Sequence, residues 1–357
     1  MHIMTNPAHN IYIHVPYCVS KCNYCAFFSR ACAAPDWDAY AAEIIREIGY
    51  WAARLGAIDV PSVFFGGGTP SLMPTGVFAR IMDALSENFH IVANAEITLE
   101  SNPGTIDGGR LGEFIAAGVN RISIGVQRTD DASLKILGRR HDWRTARDFI
   151  DCAAARGVRT SADFIYGIPG DDVASVAQMC RDINALPIEH CSMYELTVEP
   201  NTPFGKMNLQ MPSNDAMADM YDVIGRTLRY SRYEVSNYAE KPNAQCRHNA
   251  NVWDGAPYIG IGAGAAGRIF DGGVWYEQTG GANGDCNSMS EYDRAVEMVL
   301  TGMRTMRGVS VNDITRNAID MDFVRANPDL ITVRDNRICA TARGILILDD
   351  LVVKLVK

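Results

Sequence analysis

The chain has 357 residues, of which 47% are hydrophobic and 21% are charged, as in an ordinary globular protein with one large domain and a smaller one. Its net charge is −9 and it has no basic stripe, which argues against a nucleic-acid-binding or anionic-membrane surface. No run of about 18 apolar residues occurs, so we expect no membrane span. Residues 1–10 lack the charged and apolar segments of a secretory leader, so none is expected.

Three cysteines follow the first predicted strand, an apolar run at residues 11–15. They are Cys18, Cys22 and Cys25, in the spacing CxxxCxxC. Three thiols this close together cannot all pair as disulfides, so the spacing indicates a soft metal, and a reducing cytoplasm suits such thiols. Iron–sulfur clusters usually take four cysteines, and three leave one iron with an open coordination position. The alternative is a zinc site with Cys32 as its fourth ligand.

Strands and helices alternate after the cysteine loop. Apolar residues at helical spacing predict a helix at residues 37–55, which Asp36 can cap. Further helices are predicted at residues 74–88, 109–117, 131–137, 143–156 and 174–186. Strands are predicted at residues 62–65, 95–100, 121–126, 160–166 and 191–198. With the first strand, these form six βα units, the pattern of a parallel sheet or an open barrel.

The pattern changes beyond about residue 212. A helix is predicted at residues 214–230, followed by a glycine-rich stretch at residues 255–273 and a helix at residues 291–302. Strands at residues 330–333 and 337–340 and a final helix from residue 342 indicate a helical, winged-helix-like end. In an acidic protein this end is better suited to a lid or docking surface than to DNA reading. We therefore expect a core domain at residues 1–235 and a C-terminal domain at residues 236–357.

Polar and glycine residues recur where the predicted strands end, which is where barrel proteins place their active sites. A glycine run after the second strand could turn its backbone amides towards a ligand or could simply form a tight turn. The later strand-end residues could equally be structural or solvated polar groups. The candidates are Gly66, Gly67, Gly68, Thr69, Glu100, Gln127, Arg139 and Asp163.

The cysteine loop resembles the signature of the radical S-adenosylmethionine (SAM) superfamily. The resemblance implies an incomplete (β/α)6 TIM-like barrel, with Cys18, Cys22 and Cys25 holding a [4Fe-4S] cluster whose fourth iron chelates SAM. It implies that residues 66–69 hold the methionine amino group and Glu100 the amine or ribose. The other implied contacts are Tyr24 near the adenine, Gly167 and Ile168 at the adenine edge, Gln127 and Asp163 at the ribose, Arg139 at the carboxylate, and Tyr12 and Phe27 beside the cofactors.

Residues 10–350 are similar to one subgroup, the oxygen-independent coproporphyrinogen III dehydrogenase-like proteins. Dehydrogenases carry a longer N-terminal arm and a further cysteine where this chain has Phe27. The pattern instead resembles the heme chaperone (HemW) branch, whose HNxxYW stretch is matched in part around His248. The resemblance makes His248 a candidate heme ligand, although an imidazole here could equally be structural. Val252 replaces the tyrosine of that stretch, and Ala263 and Ala266 replace a cysteine and a histidine nearby.

The resemblance implies a heme chaperone that passes heme to an apo-hemoprotein. The competing interpretation is a dehydrogenase in which a radical derived from SAM leads to decarboxylation of a porphyrinogen. A tetrapyrrole methyltransferase is the third. An electron donor such as flavodoxin or ferredoxin is the implied protein partner of the cluster.

Overall fold

The computed structural model describes residues 6–281 and 284–357. The first half of the stretch considered above as a leader lies outside the described residues. The strands in chain order are β1 (Asn10–Val15), β2 (Tyr17–Cys18), β3 (Arg30–Ala31), β4 (Asp59–Gly67), β5 (His90–Ser101), β6 (Arg121–Gln127), β7 (Arg159–Tyr166), β8 (His190–Glu195), β9 (Ser231–Arg232), β10 (Asn237–Ala239), β11 (Tyr258–Ile261), β12 (Gly267–Asp271), β13 (Val274–Gln278), β14 (Cys286–Ser288), β15 (Val309–Ser310), β16 (Ile331–Arg334) and β17 (Arg337–Ala340). The helices are α1 (Trp37–Leu55), α2 (Thr75–Asn88), α3 (Gly108–Ala116), α4 (Asp131–Ile136), α5 (Trp143–Ala155), α6 (Val173–Asn184), α7 (Asn214–Thr227), α8 (Arg247–Trp253), α9 (Glu291–Met303), α10 (Met321–Ala326), α11 (Ala342–Ile345) and α12 (Leu348–Leu355).

The large sheet is built around six parallel strands in the order β1, β4, β5, β6, β7 and β8. This confirms the incomplete barrel of βα units expected from the sequence. Strand β11 adds a seventh parallel strand on the free side of β1. Antiparallel strands then extend the sheet at both ends, with β12, β13 and β14 beyond β11, and β10 and β9 beyond β8.

The helices cover the outer face of the barrel strands. Helix α1 buries Tyr40, Ile44 and Ile48 on one face, and the Asp36 side chain accepts a hydrogen bond from the Ala39 amide at its start. Helices cover one face of these strands, and the other face lines the barrel interior. Because neither face is open to bulk water, the strand sequences are mostly apolar. The predicted helix and strand positions are confirmed, with ends that differ by a few residues.

Four strands and one helix in and around the glycine-rich stretch were not predicted. Strands β11, β12, β13 and β14 and helix α8 all lie between residues 247 and 288. Gly260 in β11 could not carry a side chain, since a Cβ atom there would lie 2.3 Å from the Ala266 carbonyl oxygen. Glycine lowers strand propensity, so a strand that needs it for close packing is hidden from propensity arguments.

The C-terminal part forms its own small core. Antiparallel strands in the order β15, β17 and β16 pack with helices α9 to α12, which confirms the helical and winged-helix-like end. Thirteen buried apolar residues between residues 295 and 355 form a cluster separate from the barrel core. The large sheet runs on past residue 235 to β14, so the division of the chain at that residue stays a prediction. In the described part of the chain, no helix is both long and apolar enough to cross a membrane.

Candidate functional site

The cysteine loop closes the carboxyl end of the barrel. Asn23 fixes the loop, because its amide donates to the Leu137 carbonyl (3.1 Å) and its side chain to the Ile136 carbonyl (2.9 Å). Cys18, Cys22 and Cys25 all line one cavity of about 410 Å³ at this end. The fourth nearby cysteine of the sequence, Cys32, lies outside that lining, although its amide donates to the Cys18 carbonyl (3.0 Å).

The surroundings of the thiols act on the thiolate form in opposite directions. Burial raises the pKa of the Cys18 thiol, while the hydroxyls of Thr69 and Ser29 act in the opposite direction. Arg139 donates from Nη1 to the Cys22 sulfur (3.3 Å), and a cation in that position stabilises a thiolate. Within residues 6–281 and 284–357, no three His, Cys, Asp or Glu side chains converge to hold a single metal ion. The case for iron therefore rests on three thiols lining one cavity.

The two glycines that end β4 and the one after it are required because other atoms approach them closely. A Cβ atom on Gly68 would lie 2.6 Å from the Tyr17 carbonyl oxygen and 3.0 Å from the Cys18 sulfur, and one on Gly67 would lie 2.6 Å from the His14 ring. Gly66 faces Tyr12, whose ring lies 2.8 Å from the place a Cβ would take. The glycine run therefore lets the end of β4 pack directly against the cysteine loop.

The amides of this stretch are already used inside the protein. Gly67 donates to the Glu100 carboxylate (3.2 Å), Gly68 to the Val15 carbonyl (2.8 Å) and Thr69 to the Tyr17 carbonyl (2.8 Å). This differs from the expectation that the amides of residues 66–68 turn towards a ligand. An amino group needs acceptors, so this stretch can hold one only through its carbonyl or hydroxyl oxygens.

Glu100, near the end of β5, and Asp163, in the middle of β7, both line this cavity. Burial, and secondarily the charge of Asp163, raise the pKa of Glu100 to about 8. Asp163 accepts hydrogen bonds from the hydroxyls of Ser192 (2.6 Å) and Ser123 (3.0 Å), although burial still raises its pKa. A carboxyl with a pKa near 8 is mostly protonated at neutral pH, so it can donate a hydrogen bond.

Gln127 and Arg139 complete the same wall of the cavity. Gln127 has a positive φ of 72°, and the pairing of β6 with β7 shifts at this point, which marks a bulge. Arg139 donates from Nη2 to the Gly125 carbonyl (2.7 Å) and to the Asn102 side chain. Its Nε is buried and has no hydrogen-bond partner within the described residues, which leaves a donor for a bound anionic group.

Tyr24 and Phe27 lie at the edge of the cavity. Tyr24 packs against the small apolar cluster that contains Leu137, Ile165 and Ile168, and burial raises the pKa of its hydroxyl. Phe27 lines the mouth of the cavity and is 70% exposed. A planar apolar group entering the cavity would meet both rings.

Several candidate residues do not line this cavity. The amides of Gly167 and Ile168 donate to Asp171 (2.9 and 3.1 Å). Tyr12 lies inside the barrel, where its hydroxyl bonds His14 Nδ1 (3.0 Å). His248 lies on α8, with its amide bonded to Glu96 (3.2 Å). The structure therefore gathers the cysteines, Tyr24, Phe27, Gly67, Gly68, Thr69, Glu100, Gln127, Arg139 and Asp163 around one cavity, and leaves out Tyr12, Gly66, Gly167, Ile168 and His248.

A second cavity of about 360 Å³ lies deeper in the barrel. It shares Glu100, Ser123, Asp163 and Tyr194 with the first, so the two adjoin. His248 lines this deeper cavity; it is only 6% exposed, and its Nδ1 lies 3.0 Å from the Ser62 hydroxyl. Burial lowers the pKa of His248 to about 4, so the ring is neutral at pH 7.

Sequence reasoning missed several cavity residues that strand alternation could have identified. Ser123, Gly125 and Gln127 occupy alternate positions of β6, and every second residue of a barrel strand faces inward. Because Gln127 was predicted to be a site residue, the alternation predicts that Ser123 and Gly125 face the same side. Leu196 and Thr197 lie just beyond β8, where no side-chain pattern marks them.

Comparison with known proteins agrees with the geometry. Residues 12–183 match the Radical SAM superfamily. The chain is 38% identical to the heme chaperone HemW of Escherichia coli over 74% of this chain and 71% of that protein. It is 31% identical to the HemW of Lactococcus lactis over 92% of this chain and 90% of that protein.

The fold is also that of a solved structure. Coproporphyrinogen III oxidase (HemN) from Escherichia coli, described as a radical SAM enzyme, superposes with a TM-score of 0.80 over 98% of this chain and 89% of that one, at 20% identity. That likeness concerns the fold, which places a cysteine-lined cavity at the carboxyl end of a partial barrel. The family is one that binds a [4Fe-4S] cluster and SAM. The chain belongs to the radical SAM superfamily, as a protein closely related to the HemW proteins.

Proposed function

We propose that this protein binds a [4Fe-4S] cluster and SAM in the cysteine-lined cavity and acts as a heme chaperone that delivers heme to an apo-hemoprotein. The observation that carries the proposal is the similarity to proteins named heme chaperone HemW across most of their length. The cavity supports it, because three thiols, two basic side chains and four carboxyls line one space. The free thiols fit a reducing compartment such as the cytoplasm.

Different residues of the cavity would hold the cluster and SAM. Cys18, Cys22 and Cys25 would hold the cluster, which supplies one iron with an open coordination position for SAM. Arg139 is placed to bind the SAM carboxylate, since its unpartnered Nε supplies a charged donor. The Tyr24 ring would pack near the adenine.

Glu100 and Asp163 would act on the ribose and amino groups. Protonated Glu100 donates a hydrogen bond to a ribose oxygen, whereas the Asp163 carboxyl, already held by two serine hydroxyls, accepts one. Gln127 adds an amide that can do either. Bound cofactors would displace water from this cavity, and each hydrogen bond there is then worth more than in bulk water.

The heme ligand is less closely defined than the SAM site. His248 is buried at the end of the barrel opposite the cysteine loop, where its ring bonds the Ser62 hydroxyl and its backbone amide bonds Glu96, which supports a structural role. A heme bound to it would have to enter the deeper cavity. The assignment of His248 as a heme ligand therefore stays a prediction.

The competing activity is oxidative decarboxylation of coproporphyrinogen III, with tetrapyrrole methylation as a third candidate. The likeness to HemN supports the shared fold and does not by itself favour its reaction. Phe27 stands where the dehydrogenases carry a further cysteine, which favours the chaperone. An electron donor such as flavodoxin or ferredoxin would be needed only if SAM is turned over.

The proposal is tested by reconstituting the protein anaerobically and measuring five properties in parallel. We expect one [4Fe-4S] cluster by iron and sulfide content, SAM binding, heme binding by absorption and transfer to an apo-hemoprotein, and no conversion of coproporphyrinogen III. Alanine at Cys18, Cys22 or Cys25 should remove the cluster, and alanine at Cys32 should leave it intact. Efficient protoporphyrinogen IX formation without heme binding would make the protein an oxidase, and stoichiometric zinc in place of iron would end the cluster assignment.

A further inference from the structure

A second opening lies on the outer side of the cysteine loop. We name it the loop groove; its volume is about 520 Å³. One wall is the loop itself, with Phe27 and Phe28, and the other is helix α1, with Tyr40 and Ile44. Ala263 closes the far end. The groove shares Lys21, Ala26, Phe27 and Ser29 with the cofactor cavity, so the loop is the partition between the two.

The two phenylalanines of the loop wall, Phe27 and Phe28, are exposed, and contacts from the barrel hold Phe28 in place. Phe27 is 70% exposed and Phe28 is 60% exposed, which is unusual for two adjacent large apolar side chains. Phe28 lies against Gly264, where the φ is 86° and a Cβ atom would lie 2.3 Å from the ring. The Phe28 carbonyl accepts from His14 Nε2 (2.7 Å), so a strand side chain anchors the wall from inside the barrel.

The charges of the groove are separated between its two walls. Lys21 and Arg30 lie on the loop side, where Lys21 also donates to the Phe27 and Ser29 carbonyls (3.0 and 3.1 Å) and the Arg30 guanidinium lies 5.3 Å from the Tyr17 ring centroid. Glu43 is the acidic residue of the groove and lies on the helix side. A flat apolar ligand with carboxylates along one edge would fit with that edge towards the loop.

We propose that the loop groove is the heme-binding site, with the tetrapyrrole ring against Phe27 and Phe28 and its propionates towards Lys21 and Arg30. The proposal rests on the proposed heme chaperone function and specifies where that function resides. It places heme on the outer side of the partition whose inner side faces the cofactor cavity. A cofactor that orders residues 18–29 from inside would thereby shape the heme site.

The far end of the groove offers no metal ligand. Ala263 presents a methyl group, so the iron gains no side-chain ligand from that wall. Binding through the ring faces and the propionates alone is weaker than binding through an axial ligand, which suits a protein that must release its cargo. A cysteine in place of Ala263 would supply a thiolate there.

The test compares wall variants of the full-length, cluster-loaded protein in titrations with ferric heme. Ala263→Trp should fill the end of the groove, and Phe28→Ser should remove one ring face; each should weaken heme binding by roughly tenfold or more. Ala8→Trp is the matched control, since Ala8 is an exposed alanine before β1, at the other end of the barrel. Cluster iron and SAM affinity should be unchanged in all three variants. Ala263→Cys should shift the heme absorption band to that of a thiolate-ligated iron.

Two results separate the failure of this inference from the failure of the function. If the wild type binds heme, Ala263→Trp and Phe28→Ser bind it equally well, and His248→Ala loses it, heme lies in the deeper cavity and the groove assignment is wrong. If the wild type takes up no heme under any loading of cluster and SAM, the chaperone function itself is wrong. An unshifted band in Ala263→Cys would contradict placing the iron near that wall.

Discussion

Arg139 is the residue that links the cysteine loop to the strand ends. Its guanidinium contacts the Cys22 sulfur (3.3 Å), the Gly125 carbonyl (2.7 Å) and the Asn102 side chain, and its Nε remains without a partner among the described residues. A single cation thus joins a proposed cluster ligand to two strand ends and keeps one donor free. Lysine could not reproduce this arrangement, because its single ammonium group lacks the fixed fork of donors.

Replacing Arg139 with alanine should weaken SAM binding. A hydrogen bond to a charged group contributes about 1.5–3 kcal/mol, so the dissociation constant should rise roughly 10- to 150-fold. Calorimetry on the reconstituted protein measures this, with iron content as a check because Arg139 also contacts Cys22. Arg140→Ala is the matched control, because the next arginine is exposed. Equal SAM affinity in both variants would refute the carboxylate assignment.

Glu100 should make the protein less stable as the pH rises. Its pKa is raised from the usual 4.5 to about 8, so between these values the folded protein keeps a proton that the unfolded chain has lost. Stability from this group therefore falls with rising pH across that window, by up to about 1.4 kcal/mol per pH unit. Thermal unfolding of SAM-free protein at several pH values measures it. Glu100→Gln cannot ionise, so its advantage over wild type should grow from pH 5 to pH 8, and a constant difference would contradict the raised pKa.

At the scale of elements, β11 shows how the open side of the barrel is covered. It pairs with β1 in parallel register, and the Gln278 side chain bonds both the Gly260 amide (3.0 Å) and its carbonyl (2.5 Å). The close approach of the Ala266 backbone leaves no room for a side chain at Gly260. The seventh parallel strand therefore depends on a residue that disfavours strands in isolation.

Alanine at Gly260 should destabilise the protein, whereas alanine at a helical glycine should stabilise it. Gly260→Ala forces backbone movement and should lower the free energy of unfolding by about 1–3 kcal/mol. Gly49 lies in α1 with nothing within 4 Å of its potential Cβ, so Gly49→Ala should raise that free energy by about 0.5–1 kcal/mol. Denaturant unfolding compares the two, and tolerance of Gly260→Ala would mean that β11 packs more loosely than described.

Across the whole molecule, the buried apolar residues form two separate large clusters, one in the barrel and one in the C-terminal part. The barrel core continues through Ile259, Ile261 and Ile269, while the second cluster begins at Ala295. The segments that carry the two cores are joined by several polar contacts. The Val235 amide donates to the Arg304 carbonyl (3.1 Å), Arg304 pairs with the buried Glu234 carboxylate (3.4 Å), and Arg307 pairs with Asp254 (2.6 Å). We therefore propose that the boundary between the two folding units lies near residue 290 rather than at residue 235.

Truncation distinguishes these two boundaries. A chain ending at residue 289 keeps the whole large sheet and should fold and take up a cluster, because every barrel strand retains its neighbours. A chain ending at residue 235 loses β11 and leaves β1 as an unpaired edge, so it should aggregate. Solubility, circular dichroism and iron content after reconstitution are the measurements. A soluble, cluster-binding chain ending at residue 235 would place the boundary at that residue instead.

The parts of the protein that depend on local spacing could be predicted from the order of the residues. The CxxxCxxC loop and the alternation of apolar runs with helical patterns predicted six strands and a metal-binding loop, because periodicity and ligand spacing are local properties. Strand ends in a parallel barrel meet at one edge, so the positions of Glu100, Gln127 and Asp163 in the chain were enough to predict that they lie near the cysteines.

Which groups are still available to a ligand became visible only in the folded chain. The amides of Gly67 and Gly68 are bonded to Glu100 and to the Val15 carbonyl, and those of Gly167 and Ile168 are bonded to Asp171. A residue type shows that a donor exists, but its partner is fixed by packing between segments far apart in sequence. For the same reason the depth of His248 and the pairing of β11 with β1 could not be predicted from their own residues, since both depend on which distant backbone lies beside them.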